Sequence, residues 1–421
     1  MAKPADTAAG YRLWAKALAW YGEFAMPILV AAQWLQQSLA LLAHPELADD
    51  DTRPVEAFAL LCLGGRLTGF NRQEARSYLE RSLPLYEALQ ASWGIGKALG
   101  SLSSLDWSIG DYSLAQQRAE ASLDIHQKRG DQWEEMDLLG LMGWIYQHLG
   151  QLAKAEQLRH KVLDLCRRFG DRQHLAGEMA SLAYTVGWQG RFDEGKQWAE
   201  KSITICQEDG YLDNEGFAYL ALGWSLSFAG QYEQAQQALT HSLALEREIN
   251  NNGVEATVHY ALGNLALLEM AYDKAQTNFE ESLRLYQVIQ GDAYTFLALS
   301  GLGFVTCCRG DLDQSSHYFI ELLTDGLKRK DFLWVLSALP GMSLYLLKRG
   351  KGEQALTVWT QALCQPHIAN SPLYEDMVGQ SVREETADFP PHIIEEAQAN
   401  GRSQDIWHMA ESLLADLQSG R

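Results

Sequence analysis

Residue types able to do covalent or metal chemistry are scattered along this chain rather than gathered. Six cysteines, Cys62, Cys166, Cys206, Cys307, Cys308 and Cys364, show no C-x2-C spacing and no partnered histidine cluster. Most fall on apolar helical faces, where a reduced cysteine behaves as a small hydrophobe; adjacent Cys307 and Cys308 offer the one alternative, oxidant sensing. His148, His160 and His174 make no i, i+4 metal pair, and neither G-x-S-x-G nor H-E-x-x-H occurs. Gly94-Ile95-Gly96-Lys97-Ala98 fails the GxxxxGK[ST] spacing of a phosphate loop and reads as a turn between two helical units. The expectation is no enzyme, no metal and no cofactor. What recurs instead is chemistry of recognition: Ser104, Trp144, Tyr184, Trp224, Asn264, Phe304 and Leu344 stand forty residues apart. Trp and Tyr bring large contact area, few rotors and a polar edge, and a side-chain amide such as Asn264 can bond both an N–H and a C=O of an extended chain. A second column at the same spacing holds Trp107, Gln147, Gly187, Ser227, Leu267, Cys307 and Leu347. The competing reading is packing between repeats, since thirteen Trp in a repeat protein must mostly be core.

The elements that carry these columns follow from the same period. A small residue recurs at Ser103, Gly143, Ala183, Gly223, Gly263, Gly303 and Ser343, and a second small column at Ala115, Ala155, Gly195, Ala235, Ala275, Ser315 and Ala355. Turn signals sit between them at Gly110, Gly150, Gly190, Gly230, Gly310 and Gly350. Residues 214–253 show one unit in full. Phe217, Leu220, Ala221 and Trp224 recur at helical spacing, Gly230 and Gln231 break the run, and Ala235, Leu239, Ser242, Leu243 and Leu245 line a second amphipathic run. Gly223 and Ala235 fall where the two helices would cross. A lone hairpin cannot bury its apolar face, so a period held over this many units predicts a stacked array.

Nine hairpins are expected, near 10–43, 55–90, 94–130, 134–170, 174–210, 214–250, 254–290, 294–330 and 334–365, making an array over 1–365. Pro27 suits the start of a second helix. Residues 44–54 read as a solvated loop; Asp49-Asp50-Asp51 lacks the alternating spacing and glycine of a calcium loop. Asp131 with Glu134 offers an N-cap and a capping-box partner. Residues 366–421 lose the columns, are punctuated by proline, and end in an amphipathic run (Ile406, Trp407, Met409, Ala410, Leu413, Leu414, Leu417) expected to cap the array.

A Leu-Gly pair, an alanine twelve residues on and a Ser-Leu pair in the second helix resemble tetratricopeptide repeats. The chain departs from that pattern in its forty-residue period, in lacking the closing proline, and in lacking the leading Trp column (Leu139, Met179, Tyr219, His259 stand there). It is similar to the extended-repeat subtype of bacterial signalling regulators and polarity scaffolds, in which Gly-Asp precedes a unit, as at Gly130-Asp131, Gly170-Asp171 and Gly291-Asp292. The tail resembles those closing the arrays of STAND ATPase and MalT-like regulators. The resemblance implies an all-α, right-handed superhelical solenoid with a C-terminal capping helix. It further implies a concave groove lined by the first helices, with Trp144, Tyr184, Trp224, Asn264 and Phe304 facing it, Trp107 and His148 near it, and a peptide or partner protein as ligand. Two alternatives stay open: an inducer-sensing array of MalT-like type, with Trp144, Tyr184, Trp224 and His148 as a sugar site, and a structural oligomerisation module.

A formal net charge of −20 argues against a nucleic-acid surface or a polybasic membrane patch. No segment reaches the length of a membrane span and no secretory signal stands at the start, so a soluble, cytoplasmic protein is expected.

Overall fold

Between Gln90 and Met270, and again between Gly310 and Gly350, the backbone enters the left-handed region every twenty residues: Gln90, Gly110, Gly130, Gly150, Gly170, Gly190, Gly210, Gly230, Asn250, Met270, Gly310, Lys330 and Gly350 all have positive φ. Each closes one helix and reverses the chain, and glycine holds nine of these places because it alone adopts them without strain. The computed structural model describes residues 8–24, 28–48, 51–68, 71–289 and 293–419, and among these it contains helices and no strand. Pro27, Asp49, Asp50, Gly291 and Asp292 lie outside the described residues.

The chain divides into two compact units, 1–141 and 142–421. The first holds three hairpins: α1 (Ala8–Phe24) with α2 (Ile28–Leu42), α3 (Arg53–Leu67) with α4 (Arg72–Ala88), and α5 (Ser92–Ser108) with α6 (Tyr112–Arg129). The division falls inside α7 (Gln132–His148). In the second unit α7 leads to α8 (Leu152–Phe169), and α9 (Arg172–Trp188) pairs with α10 (Phe192–Asp209). Next come α11 (Leu212–Phe228) with α12 (Tyr232–Ile249) and α13 (Asn252–Leu268) with α14 (Tyr272–Val288). The last pairs are α15 (Thr295–Arg309) with α16 (Leu312–Arg329), and α17 (Phe332–Lys348) with α18 (Gly352–Ala362).

Small residues recur because the crossing leaves room for nothing larger. A methyl on Gly223 would stand 2.6 Å from Leu239 Cγ, and one on Gly303 2.7 Å from the Phe319 ring. At two places where serine replaces the small residue, its hydroxyl is paired across the same seam: Ser103 Oγ donates to the Ala115 carbonyl at 2.7 Å and Ser315 Oγ to the Gly303 carbonyl at 2.8 Å, while Ser343 Oγ donates to the Leu339 carbonyl in its own helix. In three hairpins the serine of the Ser-Leu pair ties the second helix to the first, as Ser122, Ser202 and Ser242 donate to the carbonyls of Gly96, Ala176 and Gly216, each at 2.7 Å. A buried hydroxyl needs such a partner.

Helix starts use short acceptor side chains. Asp111, Asp171, Asn251 and Asp311 accept from the N–H three residues on. The reciprocal half of the capping box expected at Asp131 and Glu134 is not made. The Asp131 N–H is given to the His126 carbonyl, its carboxylate accepts from Arg129, and Glu134 accepts from Lys97 at 2.8 Å.

Beyond α18 the chain leaves the period but stays helical. Two short turns, α19 (Pro366–Ala369) and α20 (Pro372–Tyr374), precede a π-helical turn at Glu375–Gly379 and α21 (Gln380–Thr386). Two longer helices follow, α22 (Pro391–Ser403) against α18 and α23 (Ile406–Gln418) against α16 and α17. They bury Ala397, Ile406, Met409, Ala410 and Leu413, closing the apolar end of the last repeats as a cap.

Candidate functional site

The first helices of the second unit present successive turns inward, and the aromatic column sits on them. Tyr184 stacks on Phe217 with centroids 5.6 Å apart and meets Trp224 at 5.4 Å; Trp224 meets Tyr260 at 5.8 Å. Tyr184 is 7% exposed, Trp224 1%, Asn264 5% and Phe304 3%. Trp144 is half-buried, one face covered by the Arg159 guanidinium at 4.2 Å. Arg159 is itself buried, donating to Glu178 at 3.1 Å and to Thr185 at 2.7 Å. His148 is enclosed and donates from Nδ1 to Asp331 at 2.9 Å, while the other oxygen of Asp331 caps α17. This contact joins residues 183 apart in sequence and seats the end of α7 on the start of α17. Trp107 lies half-buried on α5, in the other unit.

The structure thus gathers Tyr184 and Trp224 into one packed row, leaves Trp144 against Arg159, and places Phe304 further along the array. A sugar stacks on an open ring face, and Tyr184, Trp224 and His148 present none.

Sequence reasoning named His148 but overlooked the rest of the column one helical turn later: Trp188, Phe228, Leu268, Cys308 and Lys348. These residues share the face of the first column, being four positions on, and two of them, Trp188 and Phe228, meet the non-periodic tail. His367 sits among Trp188 at 4.3 Å, Phe228 at 4.6 Å and Phe192 at 5.7 Å between centroids. Its Nδ1 donates to the Gly187 carbonyl at 3.0 Å. Asn370 donates to the Gly190 carbonyl at 3.3 Å and Ser371 to that of Phe228 at 3.3 Å. Gly190 has to be glycine here, since a methyl would strike the Pro366 carbonyl and φ is +72°.

A segment seated this way could be a displaceable lid or permanent core, and magnitudes decide. Ile368, Leu373, Val378 and Val382 are each at most 2% exposed. At ~1.5–3 kcal/mol per side chain, lifting the segment would cost on the order of 10 kcal/mol, comparable with the whole stability of a domain. The tail is core, and it fills the inner face beside α9 and α11.

Beside the π-helical turn and the start of α21 the tail covers that face only in part. A cleft of about 1060 Å³ opens there. Its apolar lining is Leu267 and Leu268 of α13, Phe304 and Cys308 of α15, Leu344 of α17 and Met377 of the tail. The rim carries Tyr232, Glu233, Gln236 and Gln237 of α12, Glu269 and Met270 after α13, Lys348 of α17, and Asp376, Gln380 and Ser381. Tyr232 donates to Asp376 at 2.5 Å, which with burial raises the phenol well above its ordinary range. Burial pushes the Cys308 thiol up to about 11 and Cys307 to about 12, so neither is a thiolate nucleophile near neutrality. Among the described residues no group of His, Cys, Asp and Glu could hold a metal ion, and no helix is long and apolar enough to cross a membrane.

Comparison with known proteins follows the geometry. Residues 176–248 match the tetratricopeptide repeat family model. No curated protein sequence matches the chain. Among solved structures, a Rap protein complexed with Competence and Sporulation Factor superposes with a TM-score of 0.57 at 13% identity, over 87% of this chain and 99% of that one. A STAND protein with a tetratricopeptide repeat sensor from Pyrococcus horikoshii gives 0.44 at 12% identity, over 93% of this chain and 65% of that one. The Cut9–Hcn1 hetero-tetramer of the APC/C gives 0.42 at 15% identity, over 97% and 85%.

Proposed function

We propose that this chain, which carries tetratricopeptide repeats, is a non-enzymatic interaction module that holds a segment of a partner protein in the cleft between α13, α15, α17 and its own tail. The observation that carries this reading is the cleft itself. At about 1060 Å³ it lies at or beyond the ~300–1,000 Å³ of small-molecule pockets, and it is apolar below and polar at the rim, as interface centres are. Of the recognition residues suggested by sequence, Phe304 contributes directly, whereas Tyr184 and Trp224 support the helices beside it. The scaffold that positions the cleft is rigid, because the tail forming one wall is core.

Selection of a phage-displayed random peptide library on the whole protein tests this. Enriched peptides should lose at least about tenfold in affinity for Ser381→Trp, an exposed position where a large ring fills the cleft without touching the core. Failure to enrich any peptide, or equal binding to the filled variant, would sink the reading.

A further inference from the structure

Charge around the cleft is one-sided, and its occupant should answer to that. Three carboxylates, Glu233, Glu269 and Asp376, stand on the rim against the single ammonium of Lys348. All four are exposed. Asp376 is positioned by two neutral donors, Tyr232 at 2.5 Å and Gln380 at 3.2 Å, which orient its charge without cancelling it. Glu269 meets Lys274 only at 3.4 Å, with both side chains more than half exposed. Such a contact is worth little and leaves the carboxylate open to a better partner. Between the carboxylates lies apolar surface from Leu268, Phe304, Leu344 and Met377.

Resting on the reading of this cleft as the partner site, we infer that the occupant is a cationic, apolar segment. An unbranched or branched aliphatic side chain inserts against Phe304 and Leu268, and flanking Lys or Arg side chains reach Glu233, Glu269 and Asp376. Acidic segments are repelled by the rim and by the net charge of −20. Association is steered by the same field, and it weakens with salt because the rim charges are solvated.

The experiment uses three fluorescein-labelled dodecapeptides on the full chain, identical in alternating Leu and Met positions and carrying Lys, Gln or Glu between them. The Lys peptide should bind at least about tenfold tighter than the Glu peptide, with Gln between them. The preference should shrink several-fold on raising salt from ~50 to ~500 mM. Glu233→Lys combined with Glu269→Lys should reverse the order, and Ser381→Trp should abolish binding of every peptide. Equal affinity of the three peptides, all blocked by Ser381→Trp, overturns the charge inference and leaves the cleft standing as a partner site. Binding of the Lys peptide that persists in Ser381→Trp overturns it as attraction to the acidic surface at large. Failure of all three peptides overturns it as well, while the library selection judges the cleft separately.

Discussion

Acidification should strip stability from the second unit through one ring. His367 is 1% exposed and packed among Trp188, Phe192 and Phe228. The Gly187 carbonyl can only accept, so Nδ1 carries the proton and Nε2 is the bare nitrogen, buried without a partner. Protonation would set a charged N–H there with no water to solvate it. Burial therefore depresses the imidazole from 6.5 to about 4, against a smaller upward push from the Gly187 hydrogen bond. In the unfolded chain the ring takes its proton near the ordinary value. Between the two values the unfolded state binds more protons, so stability is intact above the ordinary value and falls as pH drops towards about 4. At about 1.4 kcal/mol per unit, the loss approaches ~3 kcal/mol. Carboxylates titrate in the same range, so the informative quantity is the difference between wild type and His367→Phe, measured by urea unfolding. Near neutrality the variant should be less stable by about 1 kcal/mol, for the lost hydrogen bond. Towards about pH 4.5 the gap should close and then invert. A gap constant across the range would refute the enclosure of His367 and, with it, the treatment of the tail as core.

Glu246 should show the opposite slope. Burial, with lesser repulsion from Asp213 and Glu255, raises its carboxyl from 4.5 to about 8, and neither carboxyl oxygen has a hydrogen-bond partner among the described residues. The folded state thus keeps a proton that the unfolded state has lost, and stability falls as pH rises through that window and levels above it. Glu246→Gln should remove this pH dependence, which at about 1.4 kcal/mol per unit amounts to on the order of 5 kcal/mol over the window, read from Tm against pH. Because His367 and Glu246 pull against each other in mildly acidic solution, a flat wild-type profile there would hide both, and the two single variants should tilt it in opposite directions. Lys330→Gly should stabilise by about 0.5–1 kcal/mol in urea unfolding, since Lys330 ends α16 with φ +53° and glycine relieves that strain at some cost in chain entropy.

The array was legible because its seams admit few residue types. Gly223 and Gly303 face Leu239 and Phe319 too closely for a side chain, and the reversals at Gly110 to Gly350 need positive φ, so both constraints are printed in the sequence at fixed spacing. The site was less legible, for a different physical reason. Aromatic type marks a face that wants a partner without saying which. Trp224 finds Tyr184, Tyr260 and Phe228, and Trp188 finds His367, residues 179 positions further on in text that shows no period. The pairing of His148 with Asp331 is equally remote. Periodicity reports neighbours one repeat away, and Trp188 meets a partner from more than four times that distance. Only one clue was local: four residues after each position of the aromatic column lies another on the same helical face.

That second column also explains why the cleft opens where it does. Trp188 and Phe228 give the tail flat rings on which His367 seats, and here the inner face is full. One step on, the column shrinks to Leu268 and Cys308, and then ends in Lys348. Neither Leu nor Cys fills the volume an indole would, and from Glu375–Gly379 and α21 the tail adds only Met377 to the apolar lining, beside polar Asp376, Gln380 and Ser381. The space is therefore set by side-chain size along one column, together with the tail's seating on the larger members of the same column. A partner segment and the chain's own tail would then divide a single inner face between them. The aromatic half holds the structure together, and the smaller, acid-rimmed half is the one proposed to hold the partner.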